Sequence, residues 1–333
     1  MRRMARPSIN PVVWQAPAAP ERSRRSDSAP PMPAPRVLPV NGVGPEDVVV
    51  DEQGRVVTGV EDGRILRLSD DGRRIDQVAD TGGRPLGIEL LGDGRLLVCD
   101  AKAGLLAVDP EGGSVEPLVS GLAAGRPLHL CNNAAVARDG TVFFTDSTQR
   151  FGLEHFMGDL LEHGGTGRLL RRDVSGEVTE LLDGLQFANG VALAADESFV
   201  AVAETGSYQI RRVWLDSGDS DVLIDNLPGI PDNLSTGEDG LIWVALVTPR
   251  SPVLDRAAQY PVLRKATWAL PQAVLNKLEV RTTWVVAVDD TGRIVHDLQT
   301  SAPGYHMVTG VRQHNGKLYL GSLREHGIAV IDL

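Results

Sequence analysis

The sequence predicts an all-β fold, a six-bladed β-propeller whose N-terminal strand closes the last blade, and three observations carry that prediction. A unit of short apolar strands recurs about every 40–50 residues from residue 45 onward, the spacing of propeller blades. The tight turns inside these units read DEQG, LGDG, ARDG, ADE, GEDG and QHNG, and Asp-Gly or Asn-Gly between apolar runs marks a hairpin because these residues tolerate φ > 0. The sixth unit shows only three strands before Leu333, and RVLPV at residues 36–40 is the one candidate for the missing outer strand.

The elements follow in order. Second strands read RVVTG (55–59), RLLVC (95–99), TVFFT (141–145), SFVAV (198–202), LIWVA (241–245) and KLYLG (317–321). Third strands follow as RILRL (64–68), GLLAV (104–108), QIRRV (209–213) and GIAVI (327–331), and fourth strands as VEPLV (115–119) and DVLI (221–224). Two insertions break the spacing. Residues 148–166 interrupt the third blade, and residues 249–280, with a helical stretch near 263–278, interrupt the fifth. Long loops on a rigid scaffold commonly carry function, and both are placed to cover the channel.

With 333 residues, 42% of them hydrophobic, the chain can bury a large core without a disulfide or metal staple. Its 36 glycines and 21 prolines suit many turns between short strands, and with few aromatics the core rests on Val, Leu, Ile and Ala. The net charge of −11 excludes nucleic acid as a natural partner. Residues 1–36 run the other way, with seven arginines against Glu21 and Asp27. No apolar segment follows MRRMARPS, so an export signal is not expected, and no run approaches the ~18 apolar residues of a membrane span. Residues 1–36 read as a Pro/Arg-rich disordered arm, residues 37–333 as the propeller, and the protein as cytoplasmic. Cys99 and Cys131, each in an apolar run, read as buried free thiols.

The functional expectation rests on register. Counting back eight positions from the turn residues Gly54, Gly94, Gly140, Glu197, Gly240 and Gly316 reaches Glu46, Leu86, Asn132, Asn189, Asp232 and Val308. Equivalent positions on the innermost strands surround the propeller axis. Four of the six offer oxygen, two as carboxylates and two as amides, a set that suits calcium or another hard divalent cation. No His/Cys cluster points to zinc.

The segments CNNAAVARDGTVFFTDS, GRLLRRD, LLDGLQFANGVALAADESFVAVAET, IRRVWL and DNLPGIPDN within residues 130–243, with YHMVTGVRQHNGKLYLGSL near the end, carry a family resemblance. They resemble the strictosidine-synthase-like branch of the gluconolactonase-type propellers, the branch of the adipocyte plasma-membrane-associated proteins. The resemblance covers about residues 35–333. It implies a six-bladed calcium-dependent lactonase, arylesterase or phosphotriesterase, with the metal ligands falling on Glu46, Asn132, Asn189 and Asp232. It also implies a catalytic glutamate early in the last blade for Pictet–Spengler condensation, and Val308-Thr309-Gly310 stand there instead, so that chemistry is not expected. Asn132-Asn133 stands where relatives often carry Asn-Asp.

The expected activity is hydrolysis of a small-molecule ester or lactone in the channel, with Asp232 as general base and His306 as the alternative base. No GxSxG elbow is present for a serine mechanism. Two other functions remain open: a non-catalytic, calcium-stabilised binding propeller, and a specialised biosynthetic enzyme on the same scaffold.

Overall fold

The structure, a computed structural model, describes residues 6–271, 280–302 and 304–333. Six four-stranded antiparallel sheets follow one another along the chain. The innermost strands are Val48–Val50, Pro85–Leu90, Cys131–Val136, Ala188–Leu193, Gly229–Thr236 and Val308–His314 in blades one to six. Blade six takes its outer strand from the N-terminus. Arg36–Pro39 pairs antiparallel with Gly327–Asp332, in the register Arg36↔Val330 to Pro39↔Gly327. The ring therefore closes with a strand from each end of the chain and leaves no unpaired edge at the seam.

The core is six apolar layers, one between each pair of neighbouring blades. Between blades four and five, for instance, Phe199, Ala201 and Leu234 pack with Val244 and the fully buried Trp284. Across the closing seam, Leu38, Val48 and Leu66 meet Tyr319 and Ile328. Trp243, inside an apolar strand, is buried between blades five and six. Cys99 and Cys131 are buried and free between blades two and three.

Both insertions rise from one end of the channel, and strand pairing settles which. The first leaves the end of Val142–Asp146, whose Asp146 lies opposite Cys131 at the start of the inner strand. The second leaves the end of Ile242–Pro249, where Pro249 lies opposite Gly229. The starts of the inner strands and the insertions thus share one end. The first insertion forms a 3-10 turn and helix α1 (Phe156–Glu162), and the second forms α2 (Pro252–Ala257) and α3 (Pro261–Ala269). Prolines at the first helical positions start α2 and α3, where a missing N–H costs nothing. Ser251 also accepts the Leu254 amide at 3.3 Å. Of the predicted helical stretch near 263–278, α3 covers the part up to Ala269, and residues 272–279 lie outside the described residues.

Residues 6–35, part of the segment expected to be disordered, instead form a strap over this end and down the side of blade five. Ile9 is buried with Phe151, Leu161 and Trp268 of the two insertions. Trp14 stacks on His163 at 4.2 Å between ring centres. Arg22 pairs with Asp297 at 2.5 Å and lies over the Trp284 ring. Ser28 bonds to Gln299 in both directions. A low-complexity composition hid these anchors because a few large side chains and arginine pairs, not an apolar period, hold the strap.

Candidate metal centre in the channel

In five of the six blades the ring position sits in a β-bulge of the inner strand. Pairing skips two residues between Pro85 and Ile88, Cys131 and Ala134, Ala188 and Val191, Pro231 and Leu234, and Val308 and Val311. The skipped pairs are Leu86-Gly87, Asn132-Asn133, Asn189-Gly190, Asp232-Asn233 and Thr309-Gly310. Glu46-Asp47 takes the same place ahead of blade one's inner strand, with Pro45 O accepting the Ser322 amide. Bulges release side chains from the ladder and re-aim them. The structure thus brings Glu46, Leu86, Asn132, Asn189 and Asp232 to equivalent positions.

Blade six is the correction. Val308 is paired with Ser322, buried in the core, and the equivalent residue is Thr309. Blade six turns through the two-residue Asn315-Gly316 loop, His314 opposite Lys317, whereas the ARDG turn spaces Val136 opposite Val142. Counting back from the glycine therefore overshoots by one. Thr309 donates its hydroxyl to Glu46 O at 2.7 Å.

The second bulge residue was missed by the sequence reading. Around the ring it alternates Asp47, Gly87, Asn133, Gly190, Asn233, Gly310. The glycines let neighbouring inner strands press together: a Cβ on Gly190 would lie 2.2 Å from Leu234 N, and one on Gly310 would lie 2.7 Å from Asp47 Oδ1. The polar members knit the blades. Asn133 donates to Asp47 Oδ2 at 3.1 Å and accepts the Val191 amide at 2.8 Å. Asn233 donates to Glu46 Oε2 at 3.1 Å. The signal was present as a glycine after every second site residue.

Amide orientation is fixed by neighbours. Asn132 Nδ2 donates to Ser147 Oγ at 2.8 Å. Thr205 gives its hydroxyl proton to Pro231 O at 2.8 Å, so its oxygen accepts from Asn189 Nδ2 at 3.1 Å. The carbonyl oxygens Asn132 Oδ1 and Asn189 Oδ1 are left buried with no protein donor. Such groups cost ~1–3 kcal/mol each when unsatisfied, so two of them at ring positions equivalent to those of two carboxylates fit a cation. Burial, then the charges of Asp232 and Asp47, push the Glu46 carboxyl well above the usual range, while Arg84 pulls the other way. Asp232 is pushed up to about 7, by burial first, while a hydrogen bond from Asn189 opposes the shift. Asp47 is raised to about 7, again by burial. Asp232 lies deep within the protein yet is only half-buried by accessible surface, so what it exposes belongs to the channel. A divalent ion held between Glu46 and Asp232 would relieve both carboxyls. Among the described residues no group of three or more His, Cys, Asp or Glu gathers to hold a metal, as expected of a site half built from amides.

Carboxylates at the ends of the second strands hold the loops that lead into the ring. Asp146 accepts the His129 and Leu130 amides and pairs with the fully buried Arg168 at 2.7 Å. Glu204 is buried and accepts the Gln186 amide at 2.8 Å. Arg84, also missed, is buried near Glu46 with Nη2 on Gly44 O at 2.9 Å and Nη1 unpaired. Above the ring, Leu86, Leu130 and Phe187 pack with Leu153, Phe156 and Leu160 of the first insertion into an apolar wall. His306 precedes the inner strand of blade six and is not in its bulge. Its Nδ1 lies against the Glu325 carboxylate and 3.2 Å from Arg281 Nη2, on loops of blades five and six.

Residues 132–218 match the strictosidine synthase family model, and residues 36–68 match the N-terminal model of the strictosidine synthase-like proteins. An adipocyte plasma membrane-associated protein of Salmo salar is 36% identical over 320 residues, covering 87% of this chain and 76% of its own. Strictosidine synthase-like 6 of Arabidopsis thaliana is 33% identical, covering 88% and 81%. Among solved structures, a gluconolactonase from Xanthomonas campestris matches with a TM-score of 0.65 at 20% identity, over the whole of both chains. A calcium-binding regucalcin from Agrobacterium tumefaciens gives 0.64 at 17% identity, covering 91% and 95%. At those identities the structural matches establish the fold. The sequence relatives overturn the cytoplasmic placement: curated proteins similar across most of the chain are plasma membrane-associated by name. Among the described residues no helix is long and apolar enough to cross a membrane.

Proposed function

Because the chain belongs to the family of the adipocyte plasma membrane-associated and strictosidine synthase-like proteins, we propose that it is a calcium-dependent hydrolase of esters or lactones, working in its propeller channel at a membrane surface. The observation that carries this proposal is the pair of buried, donor-less amide oxygens of Asn132 and Asn189 beside the buried carboxyls of Glu46 and Asp232. The gluconolactonase and regucalcin among the solved neighbours support the chemistry as analogy of fold.

Glu46, Asn132, Asn189 and Asp232 would hold the ion. When bound, calcium supplies Lewis-acid polarisation of a substrate carbonyl and stabilises its developing oxyanion. Asp232 exposes surface to the channel and is the base that takes a proton from the attacking water at a carboxylate oxygen. The wall of Leu86, Phe187 and Phe156 binds the apolar part of the substrate and keeps bulk water out. Arg84, buried near Glu46, steadies the charged form of that carboxyl. The Glu325-held imidazole of His306 is the competing base, with Nε2 free of that contact.

A panel of aryl esters and lactones, assayed with calcium and with chelator, tests the proposal. Turnover should require the ion, and Glu46→Gln should lower ion affinity and turnover together. His306→Ala should keep substantial turnover if Asp232 is the base and lose ~10²–10⁴-fold if His306 is. Robust hydrolysis by chelated protein would remove the channel ion from the chemistry.

A further inference from the structure

The two helices of the second insertion are built inside out. On α3 the inward residues are Arg264 and Trp268, both buried, while Val262, Leu263, Ala266 and Ala269 face outward. Arg264 spends its guanidinium on backbone oxygens of Leu161 and Val12. On α2, Asp255 turns inward to Arg250 at 2.9 Å and to the Tyr208 hydroxyl at 2.9 Å, leaving Val253 and Leu254 outside. The strap adds Val12 and Val13, and Trp14 N bonds to Ala258 O just after α2. These six Val and Leu side chains are 45–77% exposed. Tyr260, between the helices, is 53% exposed. Leu270 and Val280 of the same insertion are exposed too, and the remaining exposed large apolar residues among those described are scattered over separate blades, as on any soluble surface.

Exposed apolar side chains over polar groups turned inward are the reverse of a solvated helix pair and mark an interaction surface. Its charge identifies the occupant. Within residues 252–271 the acid, Asp255, is already paired, while Arg256 and Lys265 are exposed. The chain as a whole carries −11. An anionic, apolar-cored partner attracts this face and repels the body, which sets one orientation.

We propose that the outer face of α2, α3 and the strap at Val12-Val13 docks on an anionic lipid bilayer. The apolar side chains enter the headgroup–acyl boundary, with Tyr260 at the interface, and Arg256 and Lys265 meet the headgroups. Because the second insertion rises from the ring-bearing end, docking turns the channel mouth to the membrane, where apolar esters partition. This proposal rests on the membrane placement made above and assigns its surface. It is independent of the channel chemistry.

The test is sedimentation of the full chain with phosphatidylcholine vesicles, with and without phosphatidylserine. The wild type should bind the phosphatidylserine vesicles, less so in high salt and with phosphatidylcholine alone. Val262→Asp with Leu263→Asp, at exposed positions, should lower binding at least about tenfold with an unchanged melting temperature. Lys265→Glu should remove part of the phosphatidylserine preference, and Val222→Asp, on the outer strand of blade four, should bind like the wild type. Wild-type binding by the double variant would overturn this surface while leaving membrane association to another part of the chain. No binding by the wild type would overturn both. A wild-type dimer that the double variant dissociates, without vesicle binding, would assign the face to a second copy.

Discussion

At the scale of single residues, the site works by leaving oxygen unsatisfied. Asn189→Ala should weaken calcium binding by ~1–3 kcal/mol, the worth of a bond to a charged group, as read by titration calorimetry. The same arrangement sets a pH dependence in the ion-free protein. Asp232 and Asp47, both raised to about 7, keep protons that the unfolded chain releases near 4, so the folded state binds more protons between those values. Stability of chelated protein should therefore be full below about pH 4 as far as these groups go, and should fall as pH rises through 7. Thermal melts at pH 5 and pH 8 should differ by roughly 5 °C or more in chelator, and calcium should remove most of that difference. A flat profile in chelator would show that the carboxyls are not held as described. The equivalent positions of Glu46, Asn132, Asn189 and Asp232 were legible from one repeated offset. Arg84 and Glu204 were not, because burial through loop contacts leaves no period in the sequence.

At the scale of the element, the bulge is the device. It places a ring residue and its successor in the channel, and glycine at Gly87, Gly190 and Gly310 lets alternate blades approach. Gly190→Ala would put a Cβ 2.2 Å from Leu234 N and 2.5 Å from Asn233 C, both backbone atoms unable to step aside. It should destabilise the fold by more than ~3 kcal/mol, measured by denaturant unfolding, and perturb Asp232 as well. Asp146→Asn leaves Arg168 charged and fully buried, and should cost ~3–5 kcal/mol. Strand and turn positions were readable because Asp-Gly and Asn-Gly turns repeat. The bulges were not, since an extra inner residue does not change the apolar pattern of the paired ones. The shorter Asn315-Gly316 turn is where counting failed.

At the scale of the whole molecule, two devices at the N-terminus have separate jobs. Arg36–Pro39 closes the ring, as the missing strand in the last unit predicted. The strap before it ties both insertions over the channel, and composition pointed the other way because Pro and Arg are as common in loose segments as in clamped ones. Deleting residues 1–34 should lower the melting temperature by a few degrees and loosen the roof, since Ile9, Trp14 and Arg22 lose their seats. Deleting residues 1–42 should lower it far more by opening the ring, and equal melting of the two would contradict this division. The ring of oxygens remains the claim on which the functional account stands. Calorimetric titration of calcium into chelator-stripped wild type and Asp232→Ala tests it most directly: the account predicts one ion bound per wild-type chain and none by the variant, and equal affinity in the two would contradict it.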